Sequence, residues 1–309
     1  MSTSEIPSAT NRRGFLWRAG GWAAAWGMCD LAARESWASA ANTAQHGAPL
    51  LRVGLLTDAH YADRPPGGSR HYRDSLAKLA AAGEQFAQAP TDLLIELGDF
   101  IDSADSLEAE KGFLRRVDAA FRQLPGARHY VLGNHCVSAL TKAEFLEIVG
   151  QAKSHYSFDR CGIHFVILDA CFRSDGVAYQ RNNFHWADAF IPPDQLEWLR
   201  KDLETAAGPA LVFVHQCLDA EPPYGIKNAP QVRQILEASG RVRAVFQGHH
   251  HTGGQRQIHG IHYVTLRAMV EGPAPENNAF ALLDILPGNK LQLSGFGKQP
   301  SLPLASGWR

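Results

Sequence analysis

The sequence feature that most constrains the fold of this chain is the placement of metal-ligating residue types directly after short apolar runs. Five apolar runs end in this way, and the residues that follow them are Asp58, His60, Asp99, Asn134, His135, His215, His249 and His251. Short apolar runs bounded by turn residues predict buried strands. The carboxyl ends of parallel strands share one edge of a sheet, where ligands bind in α/β folds. The sequence therefore predicts that five loops bring these side chains together.

Helical periodicity lies between many of the apolar runs. Leu76, Leu79 and Phe86 recur at helical spacing, for example. The predicted helices are 73–88, 108–124, 142–149 and 195–203. The predicted strands are 51–57, 93–97, 130–132, 156–158, 163–168, 211–214, 242–246, 261–266, 280–285 and 290–293. This alternation favours a layered α/β domain, with antiparallel strands added by hairpins towards the C-terminus.

Composition excludes several classes of protein. The chain has 309 residues, a formal net charge of -1 and 14 histidines, and 20% of its residues are charged. The near-neutral balance gives no basic surface for nucleic acid, so we expect no nucleic-acid partner. No apolar run approaches the roughly 18 residues that a membrane span needs, so we expect no transmembrane segment in the mature chain.

The N-terminus has the features of an export signal. Twin arginines stand in Asn11–Leu16, an apolar stretch covers 20–29, and Ala38–Ala40 fits an A-x-A cleavage site. We therefore predict a twin-arginine (Tat) signal over 1–40, recognised by the Tat export machinery, and a periplasmic or extracellular location. Residues 41–49 are then a short linker, and 50–309 form one domain.

Four cysteines remain after that signal, namely Cys136, Cys161, Cys171 and Cys217. Their spacings match no zinc cluster. In an oxidising compartment they allow three complete disulfide pairings, and the alternative is that they are free thiols.

The residue types at the strand ends indicate a metal centre. Carboxylates, imidazoles and one amide oxygen suit manganese or iron, with zinc as an alternative, and the absence of thiolates disfavours structural zinc. About seven such ligands are too many for one ion. Two ions bridged by a carboxylate fit the number and form the arrangement used for in-line displacement at phosphorus.

These motifs resemble those of the calcineurin-like metallophosphoesterase superfamily, from about Leu51 to the end of the chain. The resemblance implies a four-layer α+β fold, in which two mixed β-sheets pack as a sandwich between helices. It implies that a metal-bridging hydroxide attacks phosphorus, and that His135 stabilises the transition state or protonates the leaving oxygen. It also implies a first metal bound by Asp58, His60 and His251, a second bound by Asn134, His215 and His249, and a bridging Asp99.

One position departs from the superfamily pattern. An acidic residue commonly follows the Asn-His pair there and holds the histidine in its charged form, whereas this chain has Cys136. A thiol orients and charges imidazole less effectively than a carboxylate. Asp102 could supply the missing carboxylate, and the alternative is that it caps a surface helix.

A narrower resemblance concerns segments outside the metal ligands. Segments 61–63, 70–76, 253–254, 262–266 and 269–273 are similar to the manganese-dependent ADP-ribose/CDP-alcohol diphosphatases. This implies hydrolysis of a small-molecule phosphodiester or phosphoanhydride, such as a nucleoside diphosphate-linked compound. Arg70, Arg73 and Asn182 are then candidate phosphate contacts, and Tyr61 and Trp186 candidate stacking faces for a base. The alternatives are a broad-specificity phosphomonoesterase of alkaline-phosphatase type and a catalytically silent metal-dependent binding protein.

Overall fold

The computed structural model describes residues 48–304. The predicted export signal at 1–40 and most of the predicted linker lie outside the described residues. None of the helices within 48–304 is long and apolar enough to cross a membrane.

The first sheet contains the opening strands of the domain together with its last strands. Its order is β12-β11-β10-β1-β2-β3, in which β1, β2 and β3 are parallel and β10 runs antiparallel to β1. Its strands are β1 Leu51–Leu56, β2 Leu93–Glu96, β3 Ala127–Tyr130, β10 Ala279–Leu286, β11 Lys290–Gly297 and β12 Leu302–Leu304.

The second sheet is built from the middle of the chain. Its order is β4-β5-β6-β7-β9-β8, with parallel pairing from β5 to β9 and antiparallel strands at both edges. Its strands are β4 Tyr156–Arg160, β5 Ile163–Ile167, β6 Ala210–Phe213, β7 Val242–Gln247, β8 Gly254–Ile258 and β9 Ile261–Thr265.

Side chains cap the first turn of two helices, Leu107–Phe121 and Lys142–Val149. The helix Lys142–Val149 begins after a capping box, in which Thr141 accepts from the backbone of Glu144 and Glu144 accepts in return, and it is followed by Gly150 with φ 74°. The helices are α1 Ser75–Gln88, α2 Leu107–Phe121, α3 Lys142–Val149, α4 Pro193–Thr205 and α5 Ala229–Ala238.

Apolar side chains divide the described residues into layers. One buried cluster joins Leu55 and Ile95 of the first sheet to Phe165, Phe213 and Phe246 of the second, so the two sheets pack face to face. A second cluster packs α1, α2 and α3 on the outer face of the first sheet, and a third packs α4 and α5 on the outer face of the second. The predicted four-layer sandwich is confirmed.

Several element predictions differ from the structure. The strand predicted at 130–132 lies at Ala127–Tyr130, because its pairing with β2 begins at exposed Ala127, which carries no apolar signal. Helix α5 and strands β8 and β12 were not predicted. In β8 four of five residues are exposed, so the strand lacks apolar alternation. All four cysteines within 48–304 are free, and only Cys161 is exposed.

Candidate metal centre

The predicted ligands lie in loops at the carboxyl ends of parallel strands in both sheets. Asp58 follows β1, Asp99 follows β2, Asn134 follows β3, His215 follows β6 and His249 follows β7. Backbone hydrogen bonds tie adjacent loops together: Asp58 N donates to Gly98 O, and Gly248 N donates to His215 O. Because the two sheets are packed against each other, their loop edges meet at one site.

A first group of ligand atoms is formed by Asp58, His60 and His251, whose donor atoms lie within 4.8 Å of one another. Nε2 of His251 is 3.4 Å from Oδ1 of Asp58 and 3.2 Å from Nε2 of His60. All three side chains are those that the resemblance assigns to the first metal.

A second group is formed by Asp99, His215 and His249. Oδ2 of Asp99 is 3.1 Å from Nε2 of His215 and 3.6 Å from Nε2 of His60. Asp99 therefore contacts both groups, which is the position that a bridging carboxylate needs. Asn134 lines the same cavity as Asp99 and His249.

Unpartnered polar atoms show that the site fits metal ions. Oδ1 of Asp58, Oδ1 of Asn134, Nε2 of His215 and Nε2 of His249 are buried and make no hydrogen bond of acceptable geometry. The approach of Nε2 of His215 to Oδ2 of Asp99 at 3.1 Å is a close contact between the two side chains and not such a bond. A buried polar atom without a partner costs about 1–3 kcal/mol, and four such atoms from four loops face one site. Oxygen and imidazole nitrogen donors of this kind match a mixed N/O metal site.

Other hydrogen bonds orient the imidazoles for metal binding. Nδ1 of His215 lies 2.8 Å from the carbonyl of Leu97, and Nδ1 of His251 lies 2.6 Å from Oε1 of Glu271. When Nδ1 of each ring donates to these oxygens, Nε2 is the nitrogen left to bind a metal. Burial lowers the pKa of His249 to about 3, with repulsion from His215 contributing, so the ring of His249 is neutral near pH 7.

The backbone at four of these residues is strained. Asp58, His60, Asp99 and His249 have φ values of 51°, 43°, 54° and 65°. Non-glycine residues seldom adopt this left-handed region, and they cluster at functional sites where the surrounding structure holds them.

Glycines before the ligands allow the loops to approach closely. A Cβ atom at Gly98 would lie 2.5 Å from Nδ1 of His215, and one at Gly248 would lie 2.7 Å from Oδ2 of Asp58. Any other residue at these positions would displace a candidate ligand.

His135, the candidate catalytic residue, lies beside the metal-ligand groups and lines the cavity. Its ring centroid is 4.8 Å from that of His60. Nδ1 of His135 is 3.4 Å from Oδ1 of Asp102, whose other oxygen is 3.0 Å from Nδ1 of His60. One carboxylate therefore contacts both imidazoles.

The side chain of Asp102 is 2% exposed and pairs with two arginines, Arg64 at 2.9 Å and Arg70 at 3.1 Å. Burial raises the pKa of Asp102, but the contacts with His135 and His60 outweigh it and hold the pKa well below its usual range. The alternative that Asp102 caps a helix is wrong, since α2 begins after Ser106.

Cys136 is fully buried in the core, and its Sγ accepts from the backbone N of Phe100.

A cavity of about 600 Å³ opens over the two metal-ligand groups. Two of the five predicted substrate residues, Arg70 and Trp186, line this cavity. Phe184 and Tyr224 also line it, and neither is among those five residues. Trp186 is 41% exposed and lies 5.6 Å from Tyr224 and 5.9 Å from His249 between ring centroids.

The other three predicted substrate residues lie elsewhere. Tyr61 is 1% exposed and packs edge-on against Phe113 in the core, which contradicts its predicted stacking role. Arg73 pairs with Asp63 on the surface and does not line the cavity. Asn182 is also outside the lining, and its backbone N donates to Ser138 O. The positions of these three residues in the sequence did not reveal which way their side chains point.

Comparison with known proteins gives a consistent result. Residues 51–253 match the family model described as Calcineurin-like phosphoesterase. A protein of Oryza sativa subsp. japonica named manganese-dependent ADP-ribose/CDP-alcohol diphosphatase is 26% identical over 298 residues, which cover 81% of this chain and 92% of that protein. An Arabidopsis thaliana protein of the same name is 23% identical over 301 residues, which cover 82% of this chain and 96% of that protein.

Solved structures show the same fold. A dimetal phosphatase from Danio rerio superposes with a TM-score of 0.73 at 22% identity, covering 82% of this chain and 98% of that one. Purple acid phosphatase PPD1 from yellow lupin superposes with a TM-score of 0.52 at 14% identity, covering 82% of this chain and 53% of that one.

Proposed function

Since this chain belongs to the calcineurin-like phosphoesterase family and is a metal-dependent phosphoester hydrolase, we propose that its substrates are nucleoside diphosphate-linked compounds. The observation that carries this proposal is the aromatic wall of the cavity above the metal-ligand groups. Trp186 and Tyr224 offer ring faces beside His249, where a nucleobase can stack while its phosphates reach the ligand groups. A small phosphomonoester would leave this wall unused. The printed names of the rice and Arabidopsis relatives support the same substrate class.

Two metal ions complete the site in this proposal. Asp58, His60 and His251 would hold one ion, Asn134, His215 and His249 would hold the other, and Asp99, which contacts both groups, would contribute to both. When bound, the ions supply Lewis-acid activation of water and neutralise charge on the phosphoryl oxygens. Manganese is the metal named for the relatives, and the donor set also suits iron or zinc.

The remaining residues orient the substrate and move a proton. His135 lies in the cavity wall next to His60, where it can donate a proton to the leaving oxygen. The carboxylate of Asp102, 3.4 Å from Nδ1 of His135, attracts the protonated form of His135. The guanidinium of Arg70 faces the same cavity and can bind a phosphate oxygen, since only one of its nitrogens contacts Asp102.

We also propose that the chain is exported through the Tat machinery and acts in the periplasm or outside the cell. The twin arginines Arg12 and Arg13, the apolar stretch and the Ala38–Ala40 cleavage pattern support this location. Export of a reporter fused to residues 1–45 should be lost when both arginines are changed to lysine. Continued export of that double variant by the same route would contradict the proposal.

Substrate comparison tests the proposed activity. The manganese-loaded protein should convert ADP-ribose to AMP and ribose 5-phosphate, and should cleave CDP-choline, with a higher kcat/KM than for p-nitrophenyl phosphate. Chromatography of the products identifies the bond that is broken. Phosphate release from p-nitrophenyl phosphate without cleavage of either diphosphate would instead support the phosphomonoesterase. Tight nucleotide binding without turnover of any phosphoester would support the silent binding protein.

A further inference from the structure

A second cavity, of about 690 Å³, adjoins the cavity above the metal-ligand groups, and we refer to it as the annex. The two cavities share four lining residues, which are Ser69, His251, Thr252 and Glu271. Because His251 belongs to the first metal-ligand group, the annex begins directly beside the candidate metal centre. A ligand whose phosphorus lies at that centre can therefore extend into the annex.

Two cations distinguish the annex from the first cavity. Arg267 follows β9 of the second sheet, and Lys298 follows β11 of the first, and both side chains are exposed and line the annex. Among residues 48–304, no carboxylate pairs with either side chain. Two neighbouring cations without a carboxylate partner favour binding of an anion.

Backbone hydrogen bonds hold the two segments that carry these cations. The buried side chain of Gln299 accepts a hydrogen bond from the backbone N of Arg267 at 2.9 Å, which joins the end of β9 to the turn after β11. The backbone N of Lys298 donates to the carbonyl of Asn278 at 2.7 Å. The two positively charged residues therefore stand on segments that are hydrogen-bonded to the rest of the fold.

One carboxylate also lines the annex, that of Glu271, and its charge is already engaged. Oε1 of Glu271 lies 2.6 Å from Nδ1 of His251. Lys78 donates to the carbonyls of Met269, Glu271 and Gly272 and so holds this loop in place. The two cations Arg267 and Lys298 therefore outnumber the one carboxylate of the annex, and that carboxylate already contacts His251.

We propose that the annex binds an anionic group, a carboxylate or a phosphate, on the half of the substrate opposite its nucleoside. This inference rests on the proposed function and adds a specificity to it. Nucleoside diphosphate-linked compounds with an acidic second half are then preferred over their neutral analogues. Arg267 and Lys298 determine this preference by charge-assisted hydrogen bonds to the anionic group.

A binding measurement tests the annex without depending on turnover. Isothermal titration calorimetry of the manganese-loaded protein compares glucuronic acid 1-phosphate with glucose 1-phosphate, which differ by one carboxylate. We expect the acid to bind about tenfold more tightly. The double variant Arg267→Gln with Lys298→Gln should bind both compounds equally. The control pair Arg115→Gln with Lys290→Gln, which makes the same charge change at exposed positions outside both cavities, should keep the preference.

Three results would overturn the proposal: no measurable binding of the acid, equal affinity of the unmodified protein for the two compounds, or a preference that persists in the Arg267 and Lys298 double variant. Hydrolysis of ADP-ribose is measured in parallel. Absence of that hydrolysis together with a preference that depends on Arg267 and Lys298 would reject the proposed function and leave the anion site standing.

Discussion

Oδ1 of Asp102 lies 3.4 Å from Nδ1 of His135, and this contact gives the candidate catalytic histidine the carboxylate that position 136 lacks. The other oxygen of Asp102 lies 3.0 Å from Nδ1 of His60. One buried carboxylate thus contacts both a candidate ligand and the candidate proton donor. Cys136 instead fills space in the core, so a carboxylate at position 136 would be buried among apolar side chains.

Replacing Asp102 should reduce activity through its two histidine partners. We expect Asp102→Asn to lower kcat/KM for the preferred diphosphate by about 10–100-fold, because partners of ligating histidines commonly contribute that much. Steady-state kinetics and metal content measured on the same samples separate a loss of the ion from a loss of the proton donor. Asp63→Asn is the matched control, since Asp63 pairs with Arg73 on the surface. Equal kinetics for Asp102→Asn and the unmodified protein would refute this role.

The aromatic wall should contribute mainly to substrate binding. Trp186→Leu should raise KM for ADP-ribose about tenfold with little change in kcat, since stacking on one base contributes about 1–3 kcal/mol. Trp186→Tyr retains a ring face and should recover most of the affinity. If KM is the same for the leucine variant and the unmodified protein, the nucleobase does not stack on Trp186.

A histidine outside the metal centre should make stability depend on pH. Nδ1 of His164 in β5 lies 2.8 Å from Asp159, and its Nε2 lies 2.9 Å from Asp202 at the end of α4. The contact with Asp202 raises the pKa of His164, Asp159 adds to this, and burial opposes it. The folded state therefore binds this proton more strongly than the unfolded state, whose pKa is about 6.5.

The stabilisation from His164 is accordingly complete below about pH 6.5 and is lost as the pH rises through the raised pKa. Urea unfolding should show that His164→Gln destabilises the protein more at pH 6 than at pH 9. His259→Gln, at an exposed histidine paired with Glu237, serves as the control. A His164→Gln effect that is constant with pH, or larger at pH 9, would contradict the assignment.

The turn between β4 and β5 offers a stabilising substitution. Cys161 and Gly162 have φ values of 51° and 76°, as in the two-residue turns where Asn-Gly is preferred. Cys161→Asn should increase the free energy of unfolding by about 0.5 kcal/mol, because asparagine tolerates positive φ better than cysteine. Cys161→Val should decrease it, since β-branched residues are disfavoured there. Urea denaturation of both variants checks the order, and the reverse order would refute the explanation.

The metal ligands could be predicted from the sequence because their residue types directly follow predicted strands, and strand ends lie at the edge of a sheet. Asp58 and Asp99 each follow an apolar run, and the parallel pairing of β1 with β2 brings them to one edge of the first sheet. His215 follows β6 of the second sheet and reaches them because the two sheets pack face to face. Asp102 could not be assigned from sequence alone, because its contacts with His60 and His135 depend on how three loops pack together.

Several substrate contacts could not be predicted, because the sequence does not show which way a side chain points. Tyr61 lies one residue from the ligand His60, yet it points into the core against Phe113. Tyr224 reaches the cavity from a loop whose sequence carries no ligand motif. Helix α5 was missed although Val232 and Leu236 are spaced for a helix and are buried, because the segment begins in a proline-containing loop.

Metal content measured together with activity tests the central claim most directly. Inductively coupled plasma mass spectrometry of the manganese-loaded protein should give two ions per chain, and Asp99→Asn, at the bridging position, should lower both the metal content and ADP-ribose hydrolysis. His185→Gln, at a histidine outside the ligand groups, should retain two ions. The predicted result is two manganese ions per chain in the unmodified protein, and lower metal content and lower activity in Asp99→Asn. A protein that binds no manganese, or an Asp99→Asn variant with unchanged metal content and activity, would contradict the account.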